Sequence, residues 1–535
     1  MLRKSGFKFF PQIKTHTTME DDVELSPTQT AALDALVHKG QSGLLTGAGG
    51  TGKSFLVREV VSQLEAKGRK VSLTATTGIA AVLIGGVTLM SQFHIVPDDL
   101  NGPASINVKR LTANKFFANA LKAIQTLIID EVSMLDVDLF ERVDTMLKHA
   151  HQSGAPFGGI QVILVGDFFQ LPPVAKSKPL RFLFESPLFW ETCDSVWELK
   201  EVWRQSDPSF CQLLQRIRQG TPTPEDLATL QARVGVSVGT DSITATKLFS
   251  RNVNVDVINS TKVGELGGDI HTFNMRIGEH RTRSESSDNI EKLWEGNRDK
   301  FKRDVNLPET LTLRVGAQVI LSYNLDTASG LCNGSRGVVT SFSEPTSESV
   351  PEKHLHRKPA KDGSDRSAYL ADCMHPVVEF ENGKRLRIPL VRISRTLPDL
   401  GEVYVWQVPL RLGWASTIHR MQGQTLSLVD AALDSSVFEV GQAYVALSRA
   451  RSLEGLCLGA FDPACIVAHP KVREFYLKPF SLQKAEMLMP PPPPAKRAKT
   501  AASRAAGGGA RAAAGGGEKD SGFEERQTFL IVKDD

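Results

Sequence analysis

The sequence predicts an α/β protein built on doubly wound parallel sheets, and three observations lead to that class. Short apolar runs end in loops that precede helical patterns. One of those loops, Gly47-Ala48-Gly49-Gly50-Thr51-Gly52-Lys53-Ser54, fits the phosphate-binding P-loop pattern between a strand and a helix. The same alternation resumes from about residue 195 to 480, interrupted by a β-rich, turn-rich stretch near 310–402.

In chain order, residues 1–24 read as an unstructured leader, and the compact pattern begins at Leu25. Ser26 and Pro27 suit the cap and first position of a helix. Gly43–Thr46, Val71–Ala75, Leu127–Asp130 and Val162–Asp167 read as buried parallel strands, with Lys53–Lys67 a helix between the first two. Within the β-rich stretch, Val377–Lys384 carries a hairpin signal with Asn382-Gly383 at its turn. Residues 481–535 hold a five-proline run, a basic cluster and two glycine triplets, a composition that cannot bury enough apolar surface to fold alone.

The chain has 535 residues, enough for three or four domains at about 150 residues each. Its 41% hydrophobic and 23% charged content is that of a globular protein. No apolar run reaches the roughly 18 residues of a spanning helix, so no membrane partner is expected. Net charge is only +3, so any nucleic-acid path must be a local groove. Cys193, Cys211, Cys332, Cys373, Cys457 and Cys465 are widely spaced and read as reduced thiols. His354, His356, Cys373 and His375 match no zinc template.

The P-loop glycines let successive N–H groups turn toward phosphate oxygens, and the following helix N-terminus adds its dipole. Lys53 is expected to neutralise the β- and γ-phosphates of ATP, and Ser54 to ligate Mg²⁺. Asp130 and Glu131 close an apolar strand at the edge where such sheets bind ligands. Asp130 suits the Mg²⁺ shell, and Glu131 suits deprotonating the attacking water. Gln170 closes the next strand, where its amide can bridge the γ-phosphate to the nucleic-acid side. Gln29, upstream, is placed to grip adenine through the same two-sided amide. Arg204 and Arg449, in Val202-Trp203-Arg204-Gln205 and Tyr444–Arg451, are candidate fingers for the γ-phosphate.

In this order these motifs resemble those of superfamily 1 helicases, across about residues 25–470. Pro156-Phe157-Gly158-Gly159-Ile160-Gln161 is similar to the signature segment of the petite-integration-frequency (PIF) family. Leu313–Val319, Cys332–Val338, Val408–Ala415 and Gly441–Tyr444 add to that resemblance. It implies an ATP- and Mg²⁺-dependent DNA helicase moving 5′ to 3′ on single strands and acting on forks, G-quadruplexes and RNA–DNA hybrids in genome maintenance. It also implies two RecA-like domains with ATP at their interface. The expected layout is a first domain over 25–194 with a wedge near 88–124, and a second over 195–480 with a small β-barrel near 310–402. A monomer is expected, with a dimer on DNA as the alternative. A RecD-like helicase is argued against by the Pro156–Gln161 segment, and a scaffold with a decayed ATPase by the complete catalytic set.

Three positions depart from the family pattern: Met90 in place of histidine, Arg420-Met421 in place of lysine-serine, and a polar insert near Glu344–Arg366. Arg420 keeps the charge, whereas Met421 loses a hydroxyl hydrogen bond. Thr76, Thr77, Gly78, Thr88, Ser91, His94, Thr417, His419, Arg420 and Gln422 are the expected DNA contacts, joined by Gln442 and Tyr444 of the Gly441–Tyr444 motif. Phe93 and Phe168 are read as core rather than base-stacking groups.

Residues 1–18 carry Arg3, Lys4, Lys8 and Lys14 with no acid before Glu20, the composition of a mitochondrial transit peptide. Lys496, Arg497 and Lys499 form a basic cluster suited to nuclear import, and starting at Met19 would remove the leader. The expected addresses are mitochondrion and nucleus.

Overall fold

The computed structural model describes residues 25–488 apart from 114, 174–178, 240–242, 252, 282–290, 292–293, 296–297, 300, 303–304, 306, 324, 326–330, 332, 345–373 and 398–400. The leader, the tail, most of the polar insert, and His354, His356, Cys332 and Cys373 lie outside the described residues.

The expected strands form β1 (Gly43–Gly47), β2 (Val71–Ala75), β3 (Val87–Thr88), β4 (Thr126–Asp130), β5 (Gln161–Val165) and β6 (Ser195–Leu199) of one parallel sheet, ordered β3-β2-β4-β5-β1-β6. Strands β1, β4 and β5 are buried at every residue, because helices cover both faces. Leu45, Ile128, Ile163 and Val165 meet Leu56, Val57, Val60 and Leu64 on one face. Leu44, Leu127, Ile129, Val162 and Leu164 meet Phe140, Val143 and Leu147 on the other.

Both expected domain boundaries move. Strand β6 pairs with β1 from Gly43↔Ser195 to Gly47↔Leu199, so the first core extends past residue 194. The helices Pro470–Leu477 and Phe480–Leu488 also return to it, with the Phe475 ring stacked on Phe184 at 4.6 Å and edge-on to Phe168 at 5.3 Å. A stripe of apolar residues shows that a helix must bury one face, but it does not identify the sheet that receives it.

The second half opens with β7 (Thr246–Phe249) and continues into β8 (His271–Asn274), β9 (Arg276–Arg281), β10 (Thr310–Leu313), β11 (Gln318–Leu321), β12 (Arg336–Ser343), β13 (His375–Phe380), β14 (Arg385–Arg387), β15 (Val391–Leu397), β16 (Gly401–Gln407) and β17 (Leu410–Leu412). It closes with β18 (Ala415–Thr417), β19 (Val429–Leu433) and β20 (Leu456–Phe461). Strands β18-β7-β19-β20 make a second parallel sheet with its own core of Leu248, Val429, Ala431, Val445 and Leu458. The inserted strands pair antiparallel as β14-β13-β12-β11-β17 and β15-β16-β9, with β10 on β8. They begin at His271 rather than near 310, and no pairing among the described residues closes them into the expected barrel. The hairpin does form: Val377, Val378 and Glu379 face Arg387, Leu386 and Arg385 across a turn with Gly383 at φ +78°. Gln318 and Arg336 tie this insertion to the second sheet, with Gln318 Nε2 donating to Gly413 O at 2.9 Å and Arg336 Nη1 to Leu428 O at 2.9 Å.

The segment expected as a wedge is helical, with helices Ser105–Ala113 and Lys115–Lys122. Its Leu111, Phe117 and Leu121 join the first sheet's core instead of forming one of their own. Arg142 ties it down, donating to Asn107 Oδ1 and Gly102 O, each at 2.7 Å. Phe93 and Phe168 are buried in the same core, as expected.

Pro156–Gln161 is a structural device remote from the phosphate loop. Phe157 is fully buried against Phe140, and its N–H donates to Asp144 Oδ1 at 2.6 Å. Gly158 has φ +72°, and a Cβ there would lie 2.7 Å from Leu147 O, so only glycine lets the turn approach the helix Val137–His151. Phe157→Ala is expected to destabilise the protein by about 3–5 kcal/mol, as chemical denaturation checks.

Candidate nucleotide and nucleic-acid site

Strand β1 ends in the P-loop, and the 14-residue helix Lys53–Ala66 starts from Gly52 at φ +83°. Thr51 Oγ1 donates to Ala48 O at 2.9 Å and closes the turn. Lys53 Nζ donates to Gly47 O at 2.7 Å and Ala48 O at 2.9 Å, so the ammonium rests on the loop itself. Burial pushes the Lys53 pKa down, against the opposing charges of Asp167, Glu131 and Asp130. Gln29 reaches the same loop: its Oε1 accepts from Ser26 N at 3.0 Å and its Nε2 donates to Thr51 O at 3.4 Å. Both halves of that amide are therefore engaged within the protein, and gripping adenine would require exchanging these bonds.

Asp130 is buried at the end of β4, and its pKa is raised to about 7, first by burial and then by the charge of Glu131. Glu131 follows at φ +56°, an uncommon conformation for a residue with a Cβ. Its N–H donates to Asp130 Oδ1 at 2.8 Å, and Thr76 Oγ1 donates to its carbonyl at 2.9 Å. Neither carboxylate has an ion pair among the described residues. With Ser54 exposed at the helix start, the set offers hard oxygen donors and surplus negative charge, which fits Mg²⁺. Gln170 is buried beside Gly441, where a Cβ would lie 2.8 Å from Gln170 O.

Arg204 and Arg449 come from distant parts of the chain to one point. A Cβ on Gly49 would lie 3.2 Å from Arg204 Nη1, 3.4 Å from Arg449 Nη2 and 3.5 Å from Tyr444 Oη. Arg449 is buried, and burial together with Arg204 lowers its pKa to about 9. Two guanidiniums beside a P-loop, neither ion-paired among the described residues, form an anion site suited to the γ-phosphate.

Two expected DNA contacts lie elsewhere. Tyr444 Oη accepts the Gly49 N–H at 2.8 Å, which puts this side chain on the P-loop. Gln442 is fully buried, with Oε1 accepting from Phe438 N at 3.2 Å. Both sit on the helix Gln442–Leu447, whose six residues are all buried. The remaining candidates lie at or just beyond the strand ends. Thr77 Oγ1 accepts from Ala80 N, Thr88 Oγ1 donates to Ser91 Oγ at 2.7 Å, and Thr417 Oγ1 accepts from Arg420 N at 3.3 Å. These hydroxyls thus shape their turns, and Thr88 and Thr417 are themselves buried. Gly78 opens the short helix Gly78–Ile84. His94 is exposed and stacks on Phe117 at 4.2 Å, and burial lowers the His419 pKa. Arg420 is half-buried with no hydrogen bond or ion pair of its side chain among the described residues. Met421 is fully buried in the second core, so this position serves packing, and Met90 packs against the first core.

Sequence reasoning missed four groups. Trp203 is 61% exposed at the P-loop edge, its backbone N–H donating to Gly50 O at 2.8 Å. Arg411 lies near Arg420, with its pKa lowered to about 10 by burial and then by that charge. Arg218 forms a buried two-point pair with Asp167, at 2.9 and 2.8 Å, under the rings of Phe169 and Tyr476. Tyr476 Oη meets Thr46 Oγ1 at 2.7 Å. Trp203 and Arg411 stood inside quoted motifs, whereas Arg218 and Tyr476 carried no local signal.

Among the described residues no group of three or more His, Cys, Asp or Glu could hold a metal ion, and His375 is buried. No described helix is long and apolar enough to cross a membrane.

Two parallel sheets, one bearing a P-loop and followed by Arg204, the other bringing Arg449 to that loop, define a two-core P-loop nucleotide-binding protein. A family model described as PIF1-like helicase matches residues 24–226, and one described as DNA helicase Pif1, 2B domain, matches 304–342. The crystal structure of the Pif1 helicase from Candida albicans is 31% identical, with TM-score 0.66 over 85% of this chain and 99% of that one. A Bacteroides Pif1 helicase in complex with ADP-AlF3 and ssDNA is 25% identical, with TM-score 0.56 over 85% and 97%. Human ATP-dependent DNA helicase PIF1 is 37% identical over 459 residues, 85% of this chain and 63% of its own length. This chain therefore spans less than two thirds of that relative. It belongs to the PIF1-like helicase family.

Lys53→Ala is expected to abolish ATP hydrolysis while circular dichroism remains unchanged, because the ammonium at the P-loop helix start that meets the β- and γ-phosphates is lost. Glu131→Gln should still bind a fluorescent ATP analogue but hydrolyse ATP at least about a hundredfold more slowly, the scale of losing a general base. Loss of binding instead would make Glu131 structural.

Proposed function

We propose that this chain is an ATP-driven helicase that moves 5′ to 3′ along single-stranded DNA and opens forked duplexes. The convergence of Arg204 and Arg449 on the P-loop carries this reading: nucleotide lies where both cores touch it, so turnover changes their relation. The relatives' names and the nucleotide–ssDNA complex of the Bacteroides protein support it.

In this reading Ser54 and Asp130 would hold Mg²⁺, which would offset the charge of the phosphates. Lys53 leaves the carbonyls of Gly47 and Ala48 for the phosphates. Glu131 takes the proton of the attacking water, while Arg204 and Arg449 stabilise charge developing on the γ-phosphate. Trp203 offers an exposed face beside Gly52, where a purine can lie. Single-stranded DNA runs over the loops after β2, β3 and β18, and Arg420 with Arg411 forms its phosphate contact. G-quadruplexes and RNA–DNA hybrids are further substrates, in replication, repair, recombination and telomere maintenance, with the protein acting as a monomer or as a dimer on DNA. The intact catalytic set argues against a scaffold with a dead ATPase.

Matched forks with a 5′ or a 3′ single-stranded tail test the polarity. Unwinding of only the 5′-tailed fork, with ATP and Mg²⁺, is expected, and unwinding of only the 3′-tailed fork would refute it. DNA affinity should fall with salt with the slope of a few phosphate contacts, since the net charge is only +3. The mitochondrial leader and nuclear basic cluster are part of the proposal. Tagged full-length protein and a version starting at Met19 should distribute differently under the microscope, and replacing Lys496, Arg497 and Lys499 by alanine should lower the nuclear signal.

A further inference from the structure

The turn from His419 to Gln424 follows β18 and touches three catalytic side chains at once. Gln422 Nε2 donates to Glu131 Oε2 at 3.0 Å. Arg449 Nη1 donates to Gln424 O at 3.0 Å and Met421 O at 3.4 Å. Arg204 Nη2 reaches Gly423 O at 3.5 Å, while its Nη1 donates to Ser448 O at 3.0 Å. The base and both fingers are thus engaged by one turn.

That turn also has unused bonding capacity. Gln422 Oε1 and Gln424 Nε2 are buried with no partner among the described residues, and leaving such atoms unpaired is costly. Gly423 stands at φ +79° between them, and the nearest atom to a Cβ there would be Leu83 Cδ1 at 3.4 Å, so the turn is not wedged in place. A second arrangement of the turn can therefore gain bonds that this one lacks. The same turn carries Arg420, whose side chain makes no bond among the described residues.

We propose that Gln422 is a positioning residue that holds Glu131 away from its water until single-stranded DNA engages the turn, making hydrolysis conditional on DNA. An amide donor on Oε2 occupies one acceptor position, fixes the carboxylate's direction and stabilises its charge, which makes Glu131 a weaker and differently aimed base toward water. Pulling the turn toward a DNA phosphate through Arg420 breaks the Gln422–Glu131 bond and loosens the carbonyls that hold Arg204 and Arg449. The inference rests on the reading that Arg420 contacts a DNA phosphate.

The test compares wild type, Gln422→Met, which keeps the volume without a donor, and Gln422→Asn, which keeps the amide but is one methylene shorter. ATP turnover is measured without DNA and with saturating oligothymidylate, and affinity for a fluorescein-labelled oligothymidylate by anisotropy. Both variants should raise DNA-free kcat roughly tenfold, the scale of one charge-assisted hydrogen bond, with the KM for ATP unchanged. The DNA-saturated rate should stay near wild type, so the stimulation ratio shrinks by the same factor. A merely structural role cannot produce this gain. An unchanged or lower DNA-free kcat in variants that unfold at the wild-type temperature overturns the proposal. The underlying reading fails separately if Arg420→Ala leaves oligothymidylate affinity unchanged.

Discussion

Three cationic side chains, Lys53, Arg204 and Arg449, converge on one glycine-rich loop, and much of the structure depends on accommodating them. Like charges this close repel, and burial deepens the cost: Arg449 is held down to about 9 by its burial and by Arg204. Backbone carbonyls offset part of it. Gly47 and Ala48 take Lys53, Ser448 takes Arg204, and Val445 and Gln424 take Arg449. A triphosphate offers more negative charge than these dipoles, so the arrangement is predisposed toward an anion and the side chains need to move only a short way to meet it.

Beneath that loop the two halves are bonded to each other. Tyr444 accepts from Gly49 and Arg218 grips Asp167 with two nitrogens, while Tyr476 on the returning helix meets Thr46 within the first core. Burial opposes the Arg218 charge, but the Asp167 carboxylate overcomes this and holds the guanidinium above its usual range. Removing one partner of such a pair leaves an isolated buried charge, at a cost of about 3–5 kcal/mol. Asp167 lies just beyond β5 of the first sheet and Arg218 on the helix Pro208–Gln219 of the second core, so the pair links the P-loop's surroundings to the half that carries Arg449.

The departures from the family pattern read differently once their surroundings are known. Met421 is buried among Ile418, Leu426 and Val429, and the position holds the turn against the second core by apolar packing. Of its neighbours, Arg420 is half-buried with its side chain unbonded among the described residues, and Gln422 donates to Glu131. The signature turn at Phe157 works from farther away, fixing a helix of the first core.

Chemistry carried by contiguous residues was legible in the sequence. A P-loop needs glycines at positive φ, a lysine and a helix start within eight residues, and these local constraints leave a local pattern. The same holds for Asp130-Glu131 after an apolar strand, for the capped helix at Ser26, and for the Asn382-Gly383 hairpin. Pairings set by packing were not legible. The placement of β6 beside β1, the return of residues 470–488 to the first core, and the location of Tyr444 on the P-loop all depend on surfaces hundreds of residues apart meeting in space. Periodicity shows which face of an element is apolar, and it is silent on the partner. Only the tertiary structure decided that Gln442 is interior, that Arg218 finds Asp167, and that Gln422 lies 3.0 Å from Glu131, because each is a contact between elements whose sequences constrain one another only through the fold.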